Sequence, residues 1–351
     1  MKILVISLAG IGDTLFATPL LHELRANFPA ATIDALVMWP GAKDLLEHNP
    51  HVNRVFQKNL IKCGRLEALR FLWSLRREGY QLSINTHPQS RIHYRIAAWL
   101  AGAPVRISHE YECFFWLDRW LVTGTLPQDY SLHAAENNLA VLPLIGAQQK
   151  LPAHELELFL TPAEEKWADD FLARAGLAGK KWLGVHVGSG GTKNLALRRW
   201  PLENFIGLTR RLQTEKNLPV LFFGGPEEAA GHEKIRSQLA GAIFPPTKNL
   251  RQAAALLRRA RAFLSVDTAL MHVAAAMKVP AQMVIETPTW NKPIEPFGNP
   301  FTLIKNPAVA GRGLDFYRYD GGDIKGTREE LLACMASVKV ADVFTAVTKL
   351  I

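Results

Sequence analysis

A strand-then-helix alternation runs through the first hundred residues, lapses, and begins again near residue 160. No other feature constrains the fold of this chain as strongly. Short apolar runs at 3–7, 32–38, 52–56 and 81–85 read as strands. Between and after them, helical spacing recurs at 14–27, with Pro19 as an expected kink, and at 43–48, 65–78 and 92–100, the last ending at Gly102. A less regular stretch covers 109–149. The pattern then restarts with a helix over 162–175, opened by Thr161 as N-cap and closed by Gly176. Strands at 182–186, 220–223, 242–244, 262–266 and 281–285 alternate with helices at 202–214, 227–239, 250–260 and 270–277, and helices at 327–337 and 340–350 close the chain. Alternation of this kind specifies a parallel sheet with helices on both faces. Occurring twice in 351 residues, it predicts two α/β domains, at 1–160 and 161–335, with a separate closing helix over 336–351.

Composition narrows the setting. No apolar run approaches the ~20 residues that a membrane-spanning helix needs. The apolar opening is interrupted by Gly10-Ile11-Gly12-Asp13 and reads as a buried first strand, not a leader. Three scattered cysteines, Cys63, Cys113 and Cys334, offer neither a disulfide framework nor metal-ligand spacing, so a reducing compartment is expected. The formal charge of +9, from 41 basic and 32 acidic residues, favours anionic partners: nucleic acid, anionic lipid or phosphorylated small molecules.

Three turns carry the chemistry, each following a predicted strand, and ligands of parallel sheets gather at those carboxyl ends. The first is Ala9-Gly10-Ile11-Gly12-Asp13-Thr14. Its glycines permit close backbone approach, but Leu15 and Phe16 stand where a dinucleotide fingerprint needs a third glycine. Asp13 is either a helix cap or a catalytic carboxylate. The second is His186-Val187-Gly188-Ser189-Gly190-Gly191-Thr192-Lys193, leading to Arg198-Arg199-Trp200-Pro201. Glycines that bare amides beside three cations suit a phosphate, the alternative being a solvated loop. The third is Ser265-Val266-Asp267-Thr268-Ala269-Leu270-Met271-His272, where the amides of Thr268, Ala269 and Leu270 open a helix toward an anion. There Asp267 doubles as a possible cap and His272 as a core histidine.

Together these turns, with Phe223-Gly224-Gly225-Pro226, Ala101-Gly102-Ala103 and Arg106-Ile107, resemble glycosyltransferase family 9, the ADP-heptose heptosyltransferases, over nearly the whole chain. The most specific stretch is Asp267-Thr268-Ala269-Leu270-Met271-His272-Val273-Ala274-Ala275-Ala276. The chain departs from the family at Ala269, Val187, Glu286-Thr287-Pro288-Thr289 and an elaboration over 308–325. The resemblance implies a GT-B fold: two Rossmann-like domains facing a cleft, the first for acceptor, the second for nucleotide sugar, and the last helix crossing back to the first. It implies inversion without a metal or other cofactor, the ADP-sugar being a substrate. It also implies a cytoplasmic, monomeric enzyme, peripheral at the inner face of the bacterial inner membrane, with a phosphorylated glycolipid as acceptor and no nucleic-acid partner.

The expected mechanism uses Asp13 as general base on the acceptor hydroxyl. Lys193, Arg198 and Arg199 supply cations to the departing diphosphate, and Thr268, Ala269 and Leu270 supply amides. Ser189, Gly190, Gly191 and Thr192 cradle phosphate, Asp267 meets donor hydroxyls, His272 supports the diphosphate pocket and, by resemblance alone, Glu228 faces the nucleoside. On the acceptor side the expected residues are Gly12, Lys62, Arg65, Arg91 and His93, the middle ones within a basic run (Arg54, Lys58, Arg70, Arg76, Arg77) that is either a functional patch or a solvated helix face. Three rival readings remain open: a GT-B transferase or epimerase using another nucleotide sugar, a dehydrogenase whose ribose acid is Asp34, though its third glycine is missing, and a nucleic-acid-binding protein, for which no recognised motif speaks. Asp169-Asp170 and Asp320-Gly321-Gly322-Asp323 do not read as a carboxylate pair for a divalent cation.

Overall fold

A computed structural model of the chain describes residues 1–190, 195–309 and 326–351. Gly191, Thr192, Lys193 and most of the 308–325 elaboration lie outside the described residues. The chain divides into two units: Met1–Phe159 with Lys292–Phe297, and the rest from Leu160 onward. The short return of the chain to the first unit through Lys292–Phe297 has no counterpart in the predicted boundaries.

In the first unit the elements run β1 (Lys2–Ser7), α1 (Ile11–Leu15), α2 (Thr18–Asn27), β2 (Thr32–Val37), α3 (Pro40–Leu46), β3 (Arg54–Gln57), α4 (Arg65–Arg77), β4 (Leu82–Asn85), α5 (Ile92–Ala101), β5 (Val105–Glu110), α6 (Trp116–Leu121), β6 (Gly124–Pro127) and α7 (Ala134–Leu139). All six strands are parallel, in the order β3-β2-β1-β4-β5-β6. β1 is apolar from Ile3 to Ile6 and fully buried, as a strand covered on both faces must be. One face packs Leu20, Leu21 and Leu24 of α2 with Leu46 of α3 and Leu139 of α7. The other packs Leu72 and Leu75 of α4 with Ala97, Ala98 and Ala101 of α5.

The second unit runs α8 (Pro162–Arg174), β7 (Leu183–His186), α9 (Leu202–Lys216), β8 (Val220–Phe223), α10 (Ala229–Gln238), α11 (Leu250–Leu257), β9 (Ala262–Ser265), α12 (Ala269–Ala276), β10 (Ala281–Ile285), β11 (Phe301–Ile304), α13 (Arg328–Ala336) and α14 (Val340–Leu350). Its parallel sheet has the order β11-β10-β9-β7-β8. A single parallel bridge from Leu221 to Ile243 lies where the first unit has β3. The strand expected over 242–244 is reduced to that bridge, because Pro245 and Pro246 follow at once and cannot donate to a ladder. Both sheets therefore reverse direction between a central pair, β1/β4 and β7/β9, which is where such sheets bind ligands.

Three sequence expectations are corrected. The single kinked helix over 14–27 is two helices, because Pro19 has no N–H and its ring excludes the carbonyl one turn back. That carbonyl, of Leu15, accepts the Thr18 hydroxyl instead (2.7 Å). The irregular stretch over 109–149 holds β6, α6 and α7, and β5 reaches into it. An unpredicted edge strand, β11, completes the second sheet. The apolar stripe of α14, Val343, Phe344 and Val347, lies in the second unit's core alongside α9 residues Phe205, Leu208 and Leu212. No single described helix is long and apolar enough to cross a membrane.

Candidate active site

The turns singled out in the sequence fall at the two reversal points. In the first unit, β1 feeds α1, and the third residue of that helix is Asp13. Its Oδ2 accepts the Gly10 N–H (2.7 Å), so the carboxylate does cap its own turn. A Cβ on Gly10 would lie 2.8 Å from that oxygen, which is why the position takes glycine. Capping occupies one lone-pair direction of a group that has about four. Asp13 is half-buried, and its charge is felt by Tyr94 on α5. The Tyr94 phenol is pushed up by burial and by Asp13, against Arg91. Asp13, Tyr94 and Arg91 thus share one neighbourhood, formed by the turns after β1 and β4. Arg91 is the N-cap residue of α5, and His93 in its first turn is exposed, its ring 4.3 Å from that of Tyr94. Lys62 and Arg65 are exposed at the start of α4. Of the basic run, Arg54 pairs with Asp34 (2.7 Å) and Glu78 (2.8 Å), and Lys58 pairs with Glu67, so these two are structural.

Sequence reasoning missed what holds the two turns together. Gln89 donates to the carbonyls of Ile6 (2.5 Å) and Thr86 (2.9 Å) and accepts the Leu8 N–H (3.2 Å), clamping the end of β1 to the end of β4. Asn138 donates to Phe16 O (3.0 Å), in the break between α1 and α2, and accepts the His87 N–H (2.7 Å). Arg95 is fully buried, ion-paired to the equally buried Asp118 of α6, and donates to Gln89 O (3.2 Å) and Ser90 O (2.9 Å). Only the unusual polarity of Asn85, Thr86, His87, Gln89 and Ser90 after a strand could have signalled this network.

In the second unit, β7 and β9 end side by side. Arg198 closes a 3-10 turn (Leu195–Arg198) and is buried. Its Nη1 donates to Asp267 Oδ2 (2.5 Å) and to Thr289 Oγ1 (2.9 Å). Arg198 and Asp267 were expected in one pocket and are here direct partners. Thr289 is the unforeseen third member, on the 286–289 stretch where the chain departs from the family. Thr268 caps α12, its Oγ1 accepting the Met271 N–H (3.3 Å) and facing His186 Nδ1 (3.2 Å). The first-turn amides of Ala269 and Leu270 have no acceptor within the helix. His186 and His272 are neutral: burial drives the first down to about 3, helped by the charges of His232 and Arg199, and burial alone does the same for the second, to about 3.

Beside this pocket, Arg199 donates to Ser189 Oγ (3.3 Å) and lies 3.6 Å from Glu228 Oε1. Ser189 itself donates to Leu195 O (2.6 Å). Glu228 also accepts the Gly225 N–H (2.9 Å). A Cβ on Gly188 would sit 2.1 Å from the Glu228 carboxylate, so glycine there makes room for that side chain, while Gly190, at φ +74°, is required by the backbone of the loop. Lys193, with Gly191 and Thr192, falls outside the described residues.

Of the two acidic pairs, Asp320 and Asp323 lie outside the described residues. Asp169 and Asp170 are spent on ion pairs, the first with Arg259 and the second with Lys166 (3.0 Å). His22, His51 and Glu157 bring ligand atoms within 4.8 Å, but the two imidazoles stack face to face at 3.9 Å, so their lone pairs run in parallel planes instead of converging. The acid expected by the dehydrogenase reading, Asp34, is buried in the middle of β2 and accepts from Arg54 and from Tyr80 Oη (2.6 Å); it is spent on the fold.

Residues 68–305 match the family model of glycosyltransferase family 9 (heptosyltransferase). The chain belongs to this family. It is 26% identical over 282 residues to lipopolysaccharide heptosyltransferase 3 of Escherichia coli, covering 77% of this chain and 78% of that one. Its fold is shared with the family 9 glycosyl transferase from Veillonella parvula DSM 2008 (TM-score 0.78, 20% identity, 99% of this chain and 96% of the other). It is shared also with the E. coli ADP-heptose lps heptosyltransferase II (TM-score 0.74, 19% identity, 100% and 98%). The family 9 chain is thus a glycosyltransferase of GT-B fold, as the family resemblance implied.

Proposed function

We propose that this family 9 enzyme transfers a heptose from ADP-heptose to the core of a lipopolysaccharide precursor, with inversion and without a metal. The donor and acceptor classes rest on the similarity to lipopolysaccharide heptosyltransferases. The observation that carries the mechanism is the group at the end of β7 and β9, in which buried Arg198 and the α12 amides converge around Asp267 and Thr268. A fixed guanidinium and a helix N-terminus supply what a diphosphate leaving group needs as its charge grows. Lys193 and Arg199 add cations. Asp267 orients Arg198, and neutral His272 backs the pocket.

In the reaction, the acceptor hydroxyl loses its proton to Asp13 as its oxygen bonds to the anomeric carbon. The bond from that carbon to the diphosphate oxygen breaks, and ADP departs with the electron pair. One displacement on the face opposite the leaving group inverts the centre. Gly12, Arg91 and His93 line the acceptor side, and the enzyme works as a monomer on the cytoplasmic surface of an anionic membrane.

ADP release from ADP-heptose, followed with and without a heptose-deficient lipopolysaccharide core in excess chelator, tests this. Release that depends on acceptor and persists in chelator is expected. Abolition by chelator with rescue by magnesium, or turnover without acceptor, would replace it with a metal-dependent transferase or an epimerase.

A further inference from the structure

We infer that the outer face of α4, α5 and α6 is a surface that docks on an anionic lipid bilayer, with tryptophans seated among the headgroups and arginines against lipid phosphates. The inference extends the membrane role proposed above but is drawn from a different set of residues.

α4 carries two apolar stripes. Leu72 and Leu75 point into the core, while Leu66, Leu69 and Trp73, at i, i+3 and i+7, lie on a second face and are exposed. A helix of a soluble domain needs only the first stripe. α5 packs against α4 and exposes Ile96 and Trp99; α6 packs against α5 and exposes Trp116 (74%), Leu117 and Trp120 (75%). Phe115, just before α6, is 64% exposed. Three neighbouring helices therefore turn apolar and aromatic side chains outward, where isolated exposed residues are ordinary but a contiguous group is not.

Two features choose a bilayer as the occupant. The aromatics are mainly tryptophan, the side chain that partitions to the water–lipid boundary. Cations outnumber acids among them: Glu67, which pairs with Lys58, and Glu112 stand against Arg70, Arg77 and Arg119, which are exposed and among the described residues have no ion pair, while Arg76 stacks over Trp73 at 5.3 Å. An amphipathic surface with basic residues beside tryptophan and leucine binds anionic headgroups and buries shallowly. A second copy of the chain would meet this face with its own arginines, since a two-fold contact sets each patch against itself.

The test is co-sedimentation of the full chain with vesicles of phosphatidylcholine alone or with phosphatidylglycerol, alongside sedimentation velocity without lipid. Binding is expected to the anionic vesicles, falling as salt rises, with a monomer in solution. W116E/W120E and R70E/R77E each should lower the partition coefficient roughly tenfold or more, with circular dichroism unchanged. Absence of binding to anionic vesicles, equal binding by both folded variants, or salt-independent binding to neutral vesicles would overturn it, as would a wild-type dimer abolished by W116E/W120E. If one double variant misfolds, the other decides. No arm reads turnover, so the transfer mechanism can fail without touching this result, and the reverse.

Discussion

The two units share a sheet plan and differ in what they put outside it. Of the fifteen large apolar side chains that stand exposed among the described residues, fourteen are in the first unit and one, Leu332, is in the second. The polar chemistry is distributed the other way. The second unit buries Arg198 against Asp267 and sets Arg199 against Glu228 at the end of its central strands, while the first offers one half-buried carboxylate, Asp13, held by a polar clamp. On the function proposed above, one scaffold serves a small charged ligand and the other a larger amphipathic one. A duplicated sheet order thus says where a ligand binds, and the side chains at its edges say what kind.

The variant expected to separate the units most widely is Asp13→Asn. It keeps size and most of the capping bond but cannot take a proton, so turnover should fall by about 10²–10⁴-fold. Donor affinity, measured by calorimetry, should stay as it was. Normal turnover would reduce Asp13 to a cap, and a parallel loss of donor affinity would break the division between the units. The next effect is on stability. Asp118→Ala leaves the fully buried Arg95 guanidinium without its counter-ion, which costs about 3–5 kcal/mol. The expected readout is a first melting transition that moves well below the second; one unshifted transition would mean that Arg95 finds another partner.

Smallest is a pH effect. His186 and His272, at about 3 when folded, lie far below an unperturbed imidazole. The unfolded chain then binds more protons than the folded one over the interval from about 6.5 to 3. The stability these residues contribute is complete above that interval and is lost as pH falls through it, by about 1.4 kcal/mol per pH unit for each imidazole. The second unit should melt earlier at pH 5 than at pH 7, and His186→Gln should flatten the slope. The first unit holds His51 and His109 down to about 4 and His87 well below its usual range, all chiefly by burial, so it should slope in the same sense; a flat profile there would break this expectation.

Much of this was legible in the sequence. The central strands are apolar runs whose only workable environment is the middle of a sheet, and the turns after them carry residues with few other uses. Local spacing put Asp13, Arg198, Asp267 and Thr268 in the turns after strands, and the family resemblance supplied the roles expected of them. What escaped were features set by distant partners. Nothing near Thr289 shows that Arg198 will reach it across 91 positions. Gln89 and Asn138 do their work through β1 and the α1–α2 break, so local pattern reads them as loop polarity. β5 and β6 were obscured because Arg106, His109 and Thr125 interrupt any simple alternation. α14 has a clear apolar stripe, but a stripe does not name the core it joins.

Arg95 has a consequence beyond stability. The same guanidinium holds Asp118, the buried residue between Leu117 and Trp120, and the carbonyls of Gln89 and Ser90, which open the turn toward Asp13. A substitution that re-aims α6 must therefore also disturb that turn. Under the docking and acceptor roles proposed above, lineages that alter what the enzyme rests on could not do so independently of what it acts on, and an engineer swapping α6 between relatives should move residues 89, 90, 95 and 118 as one cassette.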